Sequence, residues 1–291
     1  GITSWEDEAL QFRQRSRMDW LEPGIDGWDM MHHFMSKTTG APAEGDLDDW
    51  IFKSQWTQAE GIRQALERHR TSRGQFAGSL YWSLNDVWPA VSWSTVDHAG
   101  RWKLAHHAAR RANAPRTVLW VRHREDSLCF QAFNDLPEPT AGVIQIALKN
   151  FKGQVLRQTD LEVQLNGRQS TLINVGPLAQ WRTQPVDTYM SWQWKDGSGE
   201  TLARSSALWC APVEANLPPS GVQCVKTDEG FEVSADSYVP LVQLSASVPG
   251  RWSDNGMSLE PGQPVNVHFR AESEAKLEFD VEIRSLENPT Q

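Results

Sequence analysis

The chain has 291 residues, 39% hydrophobic and 22% charged, enough for two or three folded domains and too apolar for a disordered chain. Its formal net charge of −9 excludes a protein built to hold the phosphate backbone of nucleic acid. No run approaches the roughly 18 apolar residues that would cross a bilayer, so no membrane partner is expected.

The first ten residues, GITSWEDEAL, are polar and acidic and do not read as a signal peptide. They read instead as a partial helix, as if the chain began inside a longer protein, and the sequence assigns no location. Arg13, Arg15 and Arg17 lie close together, but Glu6, Asp7, Glu8 and Asp19 cancel their charge. Residues 1–115 read as helix, helix, strand, helix. Asp46 suits an N-cap, with Asp49 in the first turn of a long helix ending near Gly74. Ile51, Gln55, Ala59, Ile62 and Leu66 recur at helical spacing along one narrow face. Glu60 with Gln64, and Arg63 with Glu67, are i,i+4 partners on its flanks. The run Leu80-Tyr81-Trp82-Ser83-Leu84 reads as a strand apolar on both faces, as in a parallel sheet buried under helices. Asn85 and Asp86 end it. After a loop comes a helix with a small-residue face of Leu104, Ala105, Ala108, Ala109 and Ala112, closed off by Pro115.

From residue 116 the pattern changes to alternation of period two, with turns at Asn150–Gly153 and Asp196–Gly199. Residues 116–215 therefore read as an immunoglobulin-like β-sandwich. Pro218 and Pro219 mark a linker, and residues 220–291 read as a second, smaller sandwich. Cys129, Cys210 and Cys224 fit no zinc or redox spacing. Cys129 and Cys210 are candidates for a pair if their strands adjoin, but buried free thiols are the simpler expectation. Trp120, Trp192, Trp194 and Trp209 alternate along strands and read as core, whereas the tryptophans of the 82–93 loop do not.

That loop carries a resemblance. Leu80-Tyr81-Trp82, Leu84-Asn85-Asp86, Trp88-Pro89, Ser92-Trp93-Ser94, Asp97 and Gly100-Arg101-Trp102-Lys103 together resemble the last strand and helix of the catalytic barrel in β-mannosidases of glycoside hydrolase family 2. Upstream, SQWTQAEGIRQALERHR looks like the helix before that strand. Near the other end, SDNGMSLEPGQPVNV resembles a motif of the family's C-terminal sandwich. The resemblance is strong over residues 46–115 and looser elsewhere. His98 and Ala99 depart from it, because the family usually has an aromatic residue at position 98.

The resemblance implies a multidomain α/β plus all-β chain: the last part of a (β/α)8 barrel, residues 1–115, followed by two immunoglobulin-like sandwiches. Sites in such barrels lie at the C-terminal ends of the strands. Trp82 is then expected beneath the sugar, with a cis peptide to Ser83, and Trp82, Asn85, Asp86 and Trp88 form the expected substrate-binding set. The implied activity is retaining hydrolysis of terminal β-linked mannose. Its partners are a mannoside or manno-oligosaccharide and the N-terminal remainder of the same protein, and no cofactor or metal is implied. Retention needs two carboxyl groups about 5 Å apart. In the family both catalytic glutamates precede the residues present here, so no catalytic residue is assigned and this segment alone is expected to be inactive. Glu287 is out of place for either role.

The residues also admit plainer roles. Asp86 suits a turn that bonds nearby backbone N–H groups rather than catalysis. Glu60 and Glu67 suit ion pairs. Trp88 and Trp93 suit either sugar contact or packing against the neighbouring sandwich. His32-His33 and His106-His107 are adjacent pairs on helices, diverge by about 100°, and suit surface or interdomain positions rather than a metal site. The alternative function is a carbohydrate-binding or purely structural sandwich module of another family 2 glycosidase. Trp181 and Trp252 are the aromatics expected to be exposed if the sandwiches bind sugar. Neither sandwich shows an aromatic ladder, which favours scaffolding.

Overall fold

The computed structural model describes residues 4–8, 10–11, 26–122, 124, 126–272 and 279–286. Arg13, Arg15, Arg17, Asp19 and Glu287 lie outside them. Among the described residues, helices α1 (Gly27–Thr38), α2 (Leu47–Thr71) and α3 (Leu104–Ala112) precede the strands β1 (Arg116–Trp120), β2 (Ser127–Asn134), β3 (Thr140–Asn150), β4 (Val155–Leu165), β5 (Gln169–Pro177), β6 (Thr188–Asp196), β7 (Thr201–Leu208), β8 (Gln223–Thr227), β9 (Gly230–Ser234), β10 (Val239–Ala246), β11 (Gly250–Trp252), β12 (Met257–Leu259), β13 (Val265–Val267), β14 (Phe269–Ala271) and β15 (Val281–Ser285).

Asp46 caps α2 by accepting the Asp49 N–H at 2.9 Å. The buried stripe of α2 is Trp50, Phe52, Trp56, Ala59 and Leu66. This corrects the narrower face read from the sequence, in which Ile51 and Ile62 are only half-buried. Large indoles reach the core from positions beside the strict stripe. Gln55, polar on that face, is explained by its Oε1, which accepts the Leu104 N–H at 3.3 Å and so caps α3 from another helix. The small residues of α3 are all buried and let the two helices approach closely. Leu241, in β10, and Leu286, just after β15, close the same cluster.

The expected strand at Leu80–Leu84 is not formed. The segment bends at Trp82 and Leu84, and a parallel strand needs hydrogen-bonding neighbours on its flanks. Among the described residues the Ser83 and Leu84 carbonyls accept N–H groups of Thr95 and Val96, next to the isolated bridge of Asn85 with Val96, and no strand ladder forms. Leu80 is fully exposed, where the sequence reading buried it on both faces.

Strands β1-β2-β5 face β4-β3-β6-β7, all antiparallel. The core between them holds Trp120, Phe130, Trp181, Trp192 and Trp194. Trp192 donates its indole N–H to the Val118 carbonyl at 2.8 Å. Gly142 (β3) faces β6 so closely that a Cβ would lie 2.0 Å from the Lys195 carbonyl oxygen, which leaves glycine as the residue that fits. The turns Asn150–Gly153 and Asp196–Gly199 close as expected, with N–H to C=O bonds of 2.8 and 3.0 Å.

A second set, β13-β9-β8 and β12-β10-β15 with the ribbon β11-β14, encloses Val233, Val242, Leu244, Trp252, Leu259 and Val267. Asn255 reads β10 like a third strand, accepting the Leu244 N–H and donating to the Leu244 carbonyl. All three cysteines are free thiols, with Cys129 buried.

Candidate functional site

The tryptophan-rich loop is built on Thr95, which is wholly buried. Its N–H donates to the carbonyls of Ser83 and Leu84, both at 3.1 Å, and its carbonyl accepts the Lys103 N–H at 2.9 Å. Its hydroxyl lies 3.1 Å from His106 Nδ1 and 3.4 Å from the Tyr81 hydroxyl. From α2, Gln58 donates its amide to the carbonyls of Trp93 and Ser94. Thus the segment 81–86 and the return segment 93–97 are hung on α2 and α3. The peptide between Trp82 and Ser83 is cis.

Beyond this base the loop is open to solvent. Trp82 is 82% exposed, Trp88 67% and Trp93 51%, so neither Trp88 nor Trp93 is buried against a sandwich. Asn85 is exposed, its amide 3.3 Å from the Asp86 carbonyl. Asp97 closes the next turn, accepting the N–H groups of Ala99 and Arg101 and the Arg101 guanidinium. Gly100 there has φ +79°, a left-handed conformation that glycine adopts without cost. The departure at His98 and Ala99 therefore leaves an orderly turn.

Asp86 is the polar centre of the loop. Its carboxylate accepts the Ser92 hydroxyl (2.6 and 2.8 Å), the Ser94 hydroxyl (2.5 Å) and the Lys103 ammonium (3.4 Å). Burial pushes its pKa up, but the Ser92 and Ser94 hydrogen bonds and the Lys103 charge outweigh that and hold it below its ordinary value. A carboxylate kept ionised and supplied with donors on both oxygens is poorly suited to give up a proton as a general acid. The sequence reading had it bond backbone N–H groups; it takes side-chain donors instead.

The other groups considered from the sequence go elsewhere. Arg63 bridges Glu60 and Glu67 on α2. Burial alone would raise the Glu60 pKa, but the Arg63 charge and hydrogen bond pull it down to about 2. His32 Nε2 accepts the Trp50 indole N–H at 3.1 Å, and His107 is buried 3.5 Å from Asp254. Among the described residues no three His, Cys, Asp or Glu side chains converge on a common point for a metal ion. Trp181 and Trp252, expected to be exposed in a sugar-binding sandwich, are 2% and 7% exposed. Trp181 fills the first sandwich core with Arg157 over its ring, and Trp252 sits between Phe231 and Phe269.

Lys103, Ser92, Ser94, Thr95 and Gln58 were not singled out as site residues by sequence reasoning. The Ser-Trp-Ser and Gly-Arg-Trp-Lys elements contained three of them, but spacing alone does not say that a lysine returns to a carboxylate that precedes it by 17 positions.

The sandwich region is similar to domains of known mannosidases. A family model described as a mannosidase Ig/CBM-like domain matches residues 127–213, and an Ig-fold domain model of mannosidases matches residues 217–289. A β-mannosidase of Capra hircus is 26% identical over 268 residues, covering 82% of this chain and 30% of its own length. The chain matches a C-terminal portion of a β-mannosidase. β-Mannosidase A of Aspergillus niger is 32% identical over a shorter stretch of 110 residues, covering 36% of this chain and 12% of its own length. The crystal structure of a β-D-mannosidase from Dictyoglomus thermophilum superposes with TM-score 0.77 at 20% identity, over 93% of this chain and 33% of that one. An exo-chitosanase of Amycolatopsis orientalis superposes at 0.71 with 18% identity, over 90% of this chain and 36% of that one, so the fold is shared beyond the β-mannosidases. The chain thus spans about a third of the length of these full-length relatives.

Proposed function

We propose that the chain is the C-terminal part of a retaining exo-β-mannosidase that hydrolyses terminal β-linked mannose. Residues 1–115 end its (β/α)8 barrel, and residues 116–215 and 220–291 are two immunoglobulin-like sandwiches that buttress it. The observation that carries this reading is the loop at residues 82–93: exposed indoles on a base of buried hydrogen bonds, where the resemblance places the mouth of the barrel. An indole face suits the apolar face of a pyranose ring, and a braced loop presents it at low entropic cost. Trp82, Asn85, Asp86 and Trp88 form the substrate-binding set. Trp82 lies beneath the sugar, Asn85 and Trp88 contact it, and Asp86 acts from the base of the loop.

The two catalytic glutamates belong to the N-terminal remainder of the same protein. The loop itself offers Asp86 and Asp97, and both are engaged by donors within it. The buried positions of Trp181 and Trp252 support scaffolding over sugar binding for the sandwiches.

The test is hydrolysis of aryl β-mannoside, β-galactoside and β-glucosaminide by the full-length protein and by the 291-residue chain. The full-length protein turns over the mannoside, and the chain alone turns over none. Mannoside turnover by the purified chain would overturn the placement of the glutamates, and preference for another glycoside would overturn the substrate. In the full-length protein, Trp82→Ala lowers kcat at least tenfold, about 1.4 kcal/mol of transition-state stabilisation, while the melting temperature holds. Unchanged turnover would remove Trp82 from the site.

A further inference from the structure

Lys103 sits at the N-terminus of α3 but does not cap it with its side chain, and Gln55 supplies an acceptor to Leu104 instead. The Lys103 ammonium turns the other way, to Ser94 Oγ at 2.8 Å and Asp86 Oδ2 at 3.4 Å. The pair is largely withdrawn from water, with side chains 16% and 12% exposed. Ser92 Oγ, besides donating to Asp86, accepts the Ser94 N–H at 3.1 Å. One carboxylate therefore ties the start of the arch, residue 86, to its finish at residues 92 and 94. The lysine anchors that knot to α3.

Between the tied ends rise Val87 and Trp88, 77% and 67% exposed, with Trp93 at the return. Withdrawing a charge pair from water gains little net stability, because desolvation offsets most of the attraction. What it supplies here is a fixed geometry for a loop whose outer side chains have little packing of their own. A binding loop held in its bound shape loses less entropy when the ligand arrives.

Three exposed indoles within twelve positions also offer more flat apolar surface than one pyranose ring covers. We propose that Lys103 and Asp86 are positioning residues that hold the arch 87–93 so that its indoles receive the second sugar unit of a manno-oligosaccharide. This rests on the β-mannosidase reading above.

The experiment is steady-state kinetics of Lys103→Met in the full-length protein. The wild type is first assayed on aryl β-mannoside, β-galactoside and β-glucosaminide, and then on β-1,4-mannobiose. For Lys103→Met the KM for mannobiose rises about tenfold while kcat stays within about twofold, and Lys103→Arg restores most of the wild-type KM. Ser94→Ala, which removes one hydroxyl and no charge, shifts KM in the same direction and serves if Lys103→Met fails to fold. A lowered melting temperature with KM unchanged would overturn the proposal, leaving the pair purely structural. A fall in kcat with KM unchanged would overturn it too, by placing the pair in the chemistry. If the wild type prefers another aryl glycoside, the reading of the function fails by itself, and the same comparison on the matching disaccharide decides the positioning role. If no glycoside is turned over, both fall.

Discussion

Glu260→Ala is expected to destabilise the protein by about 3–5 kcal/mol, the range for removing one partner of a buried ion pair. Glu260 follows β12 (Met257–Leu259) and reaches across to the first sandwich, accepting Lys149 Nζ at 2.7 Å, Ser191 Oγ at 2.8 Å and the Tyr189 hydroxyl at 3.2 Å. Glu260 and Lys149 are 10% and 13% exposed, so little water is present to replace a missing partner. Burial and the nearby Glu260 charge push the Tyr189 hydroxyl well above its ordinary pKa, so it stays a donor. The same seam stacks Tyr189 on Tyr238 at 3.9 Å, with the Tyr238 N–H bonded to the Phe151 carbonyl. Alanine at 260 leaves the Lys149 ammonium buried beside the Ser191 hydroxyl. Urea denaturation reads the loss as a lower midpoint, provided the slope is unchanged. The double variant Lys149→Met with Glu260→Leu should recover most of it, since an apolar pair carries no unpaired charge. A loss under about 1 kcal/mol for Glu260→Ala would mean that solvent reaches the pair as it does at a surface.

Local physics made much of the fold legible. The alternation in residues 116–212 became β1 to β7, because period two fixes which side chains enter the core. Asp46 announced α2 because its carboxylate needs only the N–H three positions on. The alanines of α3 announced a small-residue face for the same reason of local spacing, and that face is buried. What failed was nonlocal. Leu80–Leu84 has strand composition, but composition cannot supply the neighbours a strand pairs with. Trp181 and Trp252, the aromatics that sugar-binding sandwiches would expose, pack inside instead: one fills the first sandwich core and the other lies between Phe231 and Phe269 in the second. Glu260, inside the turn Glu260–Gln263, reads as a solvated turn residue, and its lysine is 111 positions away. In the candidate site, the cis peptide after Trp82 was legible through a dense motif. The Lys103–Asp86 tie was not, because nothing local directs a lysine at a helix start to a carboxylate 17 positions earlier.

Asp254→Ala should be the next most damaging change, at about 3 kcal/mol, the lower end of the same range because Asp254 keeps 24% exposure. It lies in the seam between α3 and the second sandwich, where one carboxylate oxygen meets Arg111 at 2.5 Å, Arg110 at 3.2 Å and His107 at 3.5 Å. Arg111 also donates to the carbonyls of Asn255 and Gly256, so the guanidinium stays bound but loses its countercharge. Burial would raise the Asp254 pKa, but His107 and the two arginines lower it below its ordinary value. A depressed carboxyl pKa contributes stability above the unfolded value, about 3.9, and loses it as pH falls further. Burial likewise lowers the pKa of His107 from 6.5, against the opposing pull of Asp254. Its contribution is therefore present above 6.5 and lost as pH falls below that. Both signs weaken the seam toward acid. The deficit of Asp254→Ala relative to wild type should then be at least as large near pH 5 as at neutral pH, because Asp254 also supports protonated His107, and it should shrink below about pH 4, as the wild-type carboxyl itself becomes protonated. Melting temperatures of the two proteins across pH 3 to 8 read this directly. A deficit that stayed constant to pH 3 would show that Asp254 acts through packing and not through its charge.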